Sequence, residues 1–285
     1  MNKYPFVEIS IVVIVSLFLT IIFGVSLMLA NGQPIPANRT MTATISKTGP
    51  IPVLLIHGYA SDASVWKKWE PFLNKDHIPY TEVNFGSFLG PFYGPYYDAC
   101  GTAVDHANDL RTIIQNTIQD MKTITEQHQV NIVAHSKGGL DAREYLANSD
   151  THDVANLIMI GTPNAGSPLA YSNDLCAPAV YDIRPGAPDT KVAQNNNTKY
   201  YTIYGDWNPS LVSSCPQVPN SFGIDWLQIE KDGFSKLQKP NDGIVPASSV
   251  ESLPNHTNLG HTPDCHTNLL SEKEYALAQH VLLGR

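Results

Sequence analysis

The hydrophobic pattern of this chain changes character twice. Residues Ile9 to Ala30 form one apolar run of about 22 residues without a charge, long enough to span a bilayer as a helix. From Ile51 onward, short apolar runs alternate with amphipathic stretches. Pro52–Ile56, Pro79–Phe85, Asn131–Ala134, Ala155–Gly161 and Tyr200–Tyr204 read as strands, most of them buried on both faces. Between them, Ala63–Leu73 reads as a short helix with Trp66, Trp69 and Phe72 on one side. Val104, Ala107, Leu110, Ile114, Ile118 and Met121 recur at helical spacing and predict a helix of about seven turns. Thr102 and Asp105 form a capping box at its start. Ser271 and Glu274 form another, opening a last helix with Tyr275, Ala278 and Leu282 inward. Strands alternating with helices at this spacing predict right-handed βαβ units, a mostly parallel sheet and helices on both faces.

The pattern divides the chain into a membrane or targeting segment over 1–30, a linker over 31–49 and one α/β domain over 50–285. Residues 170–240 carry extra prolines and aromatics and read as an insertion, either a cap or long surface loops. The first segment exceeds a normal signal-peptide core. We expect an uncleaved signal-anchor ahead of a removed signal, although small residues near Gly32 permit cleavage.

Composition adds the compartment. Cys100, Cys176, Cys215 and Cys265 are four in number and too far apart in sequence for a metal knuckle, so two disulfides in an oxidising environment are expected. Four cysteines permit three pairings; placement favours Cys176–Cys215 and Cys100–Cys265. Sequons at Asn38, Asn196 and Asn255 fit an extracytoplasmic glycoprotein. The net charge of −8 argues against nucleic acid and against a polybasic grip on lipid. Membrane contact is expected through the N-terminal segment alone. Nothing in the sequence specifies an oligomeric state.

The chemistry centres on Ala134-His135-Ser136-Lys137-Gly138. A serine held between a buried strand and a helix takes a strained turn that lifts its Oγ clear of the sheet, with small residues needed two positions either side. Such a nucleophile needs a base, an acid to orient it and donors for an oxyanion. Asp242 and His266 follow in that order. Asp206 competes for the acid, and His261, ahead of His256, competes for the base. His266 is preferred because it lies shortly before the last capping box. His57 is expected to be structural, and Asp141 with Arg143 an ordinary ion pair.

His57-Gly58-Tyr59, Val133 to Arg143, Ile160 to Ser167 and Asn241 to Pro246 together resemble the secreted lipases and esterases of the α/β-hydrolase superfamily. The resemblance implies an α/β-hydrolase fold and cleavage of carboxylic esters, including lipids, through an acyl-enzyme. It assigns Ser136 as nucleophile, His266 as base, Asp242 as acid, and the backbone N–H groups of Tyr59 and Lys137 as oxyanion donors. Lys137 departs from the usual Met, Gln or Leu and should find an acidic partner. Some relatives bind calcium through an aspartate just after the histidine; Asn268 stands there, so neither metal nor cofactor is expected. The other readings are an acyltransferase or amidase with the same triad, or a cell-surface binding protein that kept the fold without catalysis.

Overall fold

A computed structural model describes residues 49–85, 100–122, 128–149, 152–171, 177–211, 215 and 225–285. The apolar run at 9–30, the sequon at Asn38, the loop expected over 86–97 and Cys176 lie outside them. Among the described residues no helix is long and apolar enough to cross a membrane.

Among the described residues, six strands form one parallel sheet. In chain order they are β1 (Val53–Ile56), β2 (Tyr80–Val83), β3 (Val130–His135), β4 (Val154–Ile160), β5 (Lys199–Gly205) and β6 (Thr257–Thr262), arranged β2-β1-β3-β4-β5-β6. Register brings Ile56 beside Ala134, His135 beside Ile160, and Ile160 beside Ile203. The carboxyl ends of the middle strands therefore meet along one edge, where ligands bind in open parallel sheets.

The helices are α1 (Glu70–Lys75), α2 (Ala103–Lys122), α3 (Gly138–Ala147), α4 (Ala179–Asp182), α5 (Trp226–Lys236), α6 (Ala247–Val250) and α7 (Glu272–Leu282). Strand alternation decides which helix covers which face. Leu54, Ile56, Ile132, Ala134, Leu157 and Met159 pack against Leu110, Ile114 and Ile118 of α2 and Tyr145 and Leu146 of α3. Val53, Leu55, Val133, Ile158, Ile160 and Ile203 face the other way, toward Trp66, Trp69, Leu73 and the Tyr275–Ala278–Leu282 stripe of α7. Both predicted capping boxes form. Thr102 Oγ1 donates to Asp105 Oδ2 at 2.7 Å while the Asp105 amide bonds back at 3.1 Å, and Ser271 pairs reciprocally with Glu274.

Three expectations are corrected. The helix over Ala63–Leu73 is a 3-10 turn (Ala63–Lys68) followed by the separate α1, because Pro71 at its start cannot continue a helix from the preceding turn. Val104 is 52% exposed; Ala103 takes the inward place, since the stripe rotates around a straight helix. Cys215 bonds to Cys265, with Cα atoms 6.1 Å apart, which excludes both expected pairings. Trp207, Leu227 and Phe234 pack around that bridge and hold Cys215 beside Cys265. Cys100 is disulfide-bonded as well.

Candidate active site

Ser136 directly follows β3 with φ of +54°, a backbone region that side chains with a Cβ rarely occupy. Its amide donates to the Ile160 carbonyl at 2.9 Å, which fixes the turn against β4. Neighbouring glycines permit the crowding. A Cβ on Gly58 would lie 2.7 Å from that of Ser136, and one on Gly138 would meet Ile56 Cγ2 at 2.9 Å. The turn after β1, with Tyr59 in it, thus closes directly over the serine. Lys137 precedes the first turn of α3, where amide groups have no partner within the helix.

Asp242 is fully buried in the turn before α6. Its Oδ1 accepts the amides of Ile244 at 2.9 Å and Val245 at 2.6 Å, which leaves Oδ2 for one further donor. That donor is His266 Nδ1, at 2.7 Å. With the Nδ1 proton so engaged, Nε2 is left to accept from Ser136 Oγ at 2.8 Å. The three side chains form one hydrogen-bonded row at the carboxyl ends of the strands. A Cβ on Gly161 would come within 3.2 Å of His266 Nδ1 and 3.3 Å of Asp242 Oδ2, so a bare backbone forms the floor under the pair. Burial pulls the His266 pKa down, but the Asp242 charge, its hydrogen bond and Glu230 together hold it above 6.5.

The competing residues lie elsewhere. Asp206 is exposed just past β5, with its amide on the Thr262 carbonyl. His261 stands exposed on β6 and stacks on Tyr204. His256 bonds the Leu253 carbonyl and Glu251. Asn268 accepts from Lys68 Nζ at 3.0 Å and donates to Asp264. Cys215, Glu230 and Cys265 bring possible ligand atoms together, but both sulfurs are spent in the disulfide.

Two buried histidines support the site: His57 is structural as expected, and His135 carries more than the sequence indicated. His135 donates from Nε2 to the His266 carbonyl at 3.0 Å, and burial pushes its pKa down to about 3, so it acts as a neutral brace. His57 is similarly buried, lowered to about 4, and packs edge-on against Phe85 beneath the turn. Beyond them, Ser167 Oγ donates to the Ile244 carbonyl, Asn164 Nδ2 to that of Val250, and Ser249 Oγ accepts the Ala165 amide. The Thr162–Ser167 segment therefore holds the turn that carries Asp242.

Asp141 and Arg143 do not pair. Two residues apart on α3, they point to different sides of the helix. Lys137, four residues before Asp141, reaches its Oδ1 at 2.6 Å and lies 3.6 Å from Asp182 of α4. His106 Nδ1 donates to the other Asp141 oxygen at 2.9 Å. Burial pushes Asp141 up, but Lys137 and His106 outweigh it and hold the carboxyl below its ordinary value. Asp182 is pushed up to about 6 by burial. Arg143 instead donates to Asn164, Thr190 and Val192, capping carbonyls of two loops. In the described parts of the 170–240 region, Ala170, Ala179, Val180, Ile183 and Trp226 form an apolar cluster with Tyr59 and Ala60, next to the serine's turn.

Comparison with known proteins places the chain among relatives. Triacylglycerol lipase 2 of Saccharomyces cerevisiae is 33% identical over 78 residues, which is 26% of this chain and 24% of the yeast protein. The match thus spans about a quarter of that relative's length. The mature lipase of Bacillus licheniformis superposes with a TM-score of 0.63 at 20% identity, covering 88% of this chain and 96% of its own. A metagenomic carboxyl esterase gives 0.57 at 17% identity, covering 88% and 80%. These two structures share the α/β-hydrolase fold. The palmitoyl protein thioesterase family model matches residues 52–213, more than half of the sequence and including the turns at Gly58 and Ser136. On that match the chain belongs to the palmitoyl protein thioesterase family, among the lipase- and esterase-like hydrolases of the α/β-hydrolase fold.

Proposed function

We infer that this protein hydrolyses carboxylic esters of apolar acyl groups through an acyl-enzyme on Ser136. The observation that carries this reading is the unbroken row from Ser136 Oγ through His266 to Asp242, at 2.8 and 2.7 Å. Ser136 Oγ attacks the acyl carbon as its proton passes to His266 Nε2. Asp242 keeps the ring in the Nδ1–H tautomer and balances the imidazolium. The amides of Tyr59 and Lys137 receive the oxyanion, an effect of about 3–4 kcal/mol per donor in well-studied enzymes. The imidazolium returns its proton to the leaving alcohol, and water, activated by the same ring, releases the acid. The apolar cluster around Tyr59 and Trp226 supports an acyl group of hydrocarbon character.

A second reading rests on the family's description: the substrate is an acyl thioester, with a thiol as leaving group and every other step the same. The Cys215–Cys265 disulfide supports an extracytoplasmic location, and the apolar run at 9–30 supports a membrane anchor there. Hydrolysis of p-nitrophenyl esters and of acyl thioesters of graded chain length tests the substrate. Labelling by a fluorophosphonate tests the nucleophile: modification at Ser136 is expected, and modification at another serine would overturn the assignment.

A further inference from the structure

Helix α5 carries a carboxyl group that the reaction scheme leaves unused. Glu230 is fully buried, its Oε1 accepts the Thr267 amide at 2.8 Å, and its Oε2 has no hydrogen-bond partner among the described residues. A half-satisfied carboxyl at full burial is costly, and a glutamine or an apolar side chain would fill the same space more cheaply. Its surroundings indicate what the cost sustains. Thr267 follows His266, and Cys265 precedes it, tied to Cys215; the carboxyl and both sulfurs lie within 4.8 Å of one another. The backbone of α5 at Glu230 also touches the turn that holds Asp242: a Cβ on Gly243, at φ +93°, would lie 2.8 Å from the Glu230 carbonyl oxygen. Glu230 thus stands between the acid's turn and the base's loop. The titratable groups that act on it are His266 and Asp242; the disulfide beside it carries no titratable thiol.

We propose that Glu230 is a positioning residue for His266, holding its loop through the Thr267 amide and supplying a second carboxyl charge that favours the imidazolium. The inference rests on the reading of Ser136, His266 and Asp242 given above. Glu230 exchanges no proton with substrate. The Ser136 proton moves to His266 Nε2 and on to the leaving group, while Glu230 and Asp242 lie near the transient positive charge. Burial raises the Glu230 pKa to about 7, so the carboxyl ionises only as the pH rises toward and past that value, and once ionised its charge is one of the influences that raise His266. Removing the charge should therefore make His266 easier to deprotonate.

The test compares wild type with Glu230→Gln and Glu230→Ala in full-length protein. It follows ester hydrolysis and fluorophosphonate labelling across pH, with thermal unfolding measured alongside. Glutamine keeps an oxygen for the Thr267 amide but loses the charge. It should retain kcat within about 3-fold at alkaline pH and shift the acid limb to lower pH. Alanine loses both, and kcat should fall about 10-fold or more at little-changed KM. An acid limb unmoved in Glu230→Gln, or wild-type kcat in Glu230→Ala, overturns the proposal even if both variants melt earlier. If Glu230→Ala fails to fold, the acid limb of Glu230→Gln alone decides. Wild type that does not label at Ser136 overturns the underlying reading, whereas labelled wild type matched by both variants overturns this inference alone.

Discussion

At Ser136 the demands of folding and of chemistry oppose each other. A side chain with a Cβ at φ +54° costs about 1–2 kcal/mol relative to right-handed backbone, and glycine escapes most of that. Ser136→Ala and Ser136→Gly both remove the hydrogen bond to His266, so comparing them isolates the strain. We expect Ser136→Gly to be more stable than Ser136→Ala by about 1 kcal/mol in denaturant unfolding, with activity in both reduced by at least about 1,000-fold. Equal stabilities would mean the turn relaxes without its side chain. His266 sets the second expectation at this scale. As the proposed base, His266 works only when neutral, and the folded protein favours the charged form, so activity is expected to fall as pH drops through a midpoint above 6.5. A profile of kcat/KM against pH with its acid midpoint below 6.5 would mean that burial outweighs the Asp242 and Glu230 contacts.

Between elements, the decisive contact is α5 against the turn bearing Asp242. A Cβ on Gly233 would run into the Gly243 carbonyl and lie 2.8 Å from Leu169 Cδ1. In an isolated helix, alanine at that position would gain about 1 kcal/mol over glycine. Here the obstacle is backbone, which cannot swing aside, so overpacking of about 1–3 kcal/mol should win. Gly233→Ala is expected to lower the melting temperature and to reduce kcat, because α5 must move off the acid's turn. A stabilised variant with full activity would show that the approach is looser than it looks.

The same contact shows where the sequence stops being informative. Strands β1, β3 and β4 are legible because burial on both faces makes them largely apolar runs, broken only by Asn131, His135 and Asn156, and the capping boxes because their bonds span three residues. β6 is an edge strand with Thr257, Asn258 and His261 exposed, so only a short strand somewhere between acid and base could be expected. Ser136, His266 and Asp242 stand out through chain order and turn chemistry. Glu230 and His135 do not, since their roles depend on which loops the fold places beside them. Lys137 and Asp141 have the i,i+4 spacing that lets a pair form on one helix face, which the two-residue separation of Asp141 and Arg143 does not.

For the molecule as a whole, the Cys215–Cys265 bridge joins the segment after β5 to the loop of His266 across 50 residues of sequence. Closing a loop of that length restricts the unfolded chain by about 4 kcal/mol in the entropic model, and native strain usually reduces the yield to about 2–4 kcal/mol. The bridge therefore couples global stability to the placement of the base. Peptide mapping without reduction should recover a Cys215–Cys265 linked pair, and thiol titration of the unfolded protein should find no free cysteine. The variant with both Cys215 and Cys265 replaced by alanine should unfold about 2–4 kcal/mol more easily. It should also lose activity below its melting transition, because Cys265 immediately precedes His266. Treatment of wild type with a dithiol reductant should produce the same loss, reversed on reoxidation. If the double variant loses stability but turns over at the wild-type rate, the bridge serves the fold alone, and Thr267 with His135 suffices to hold the base.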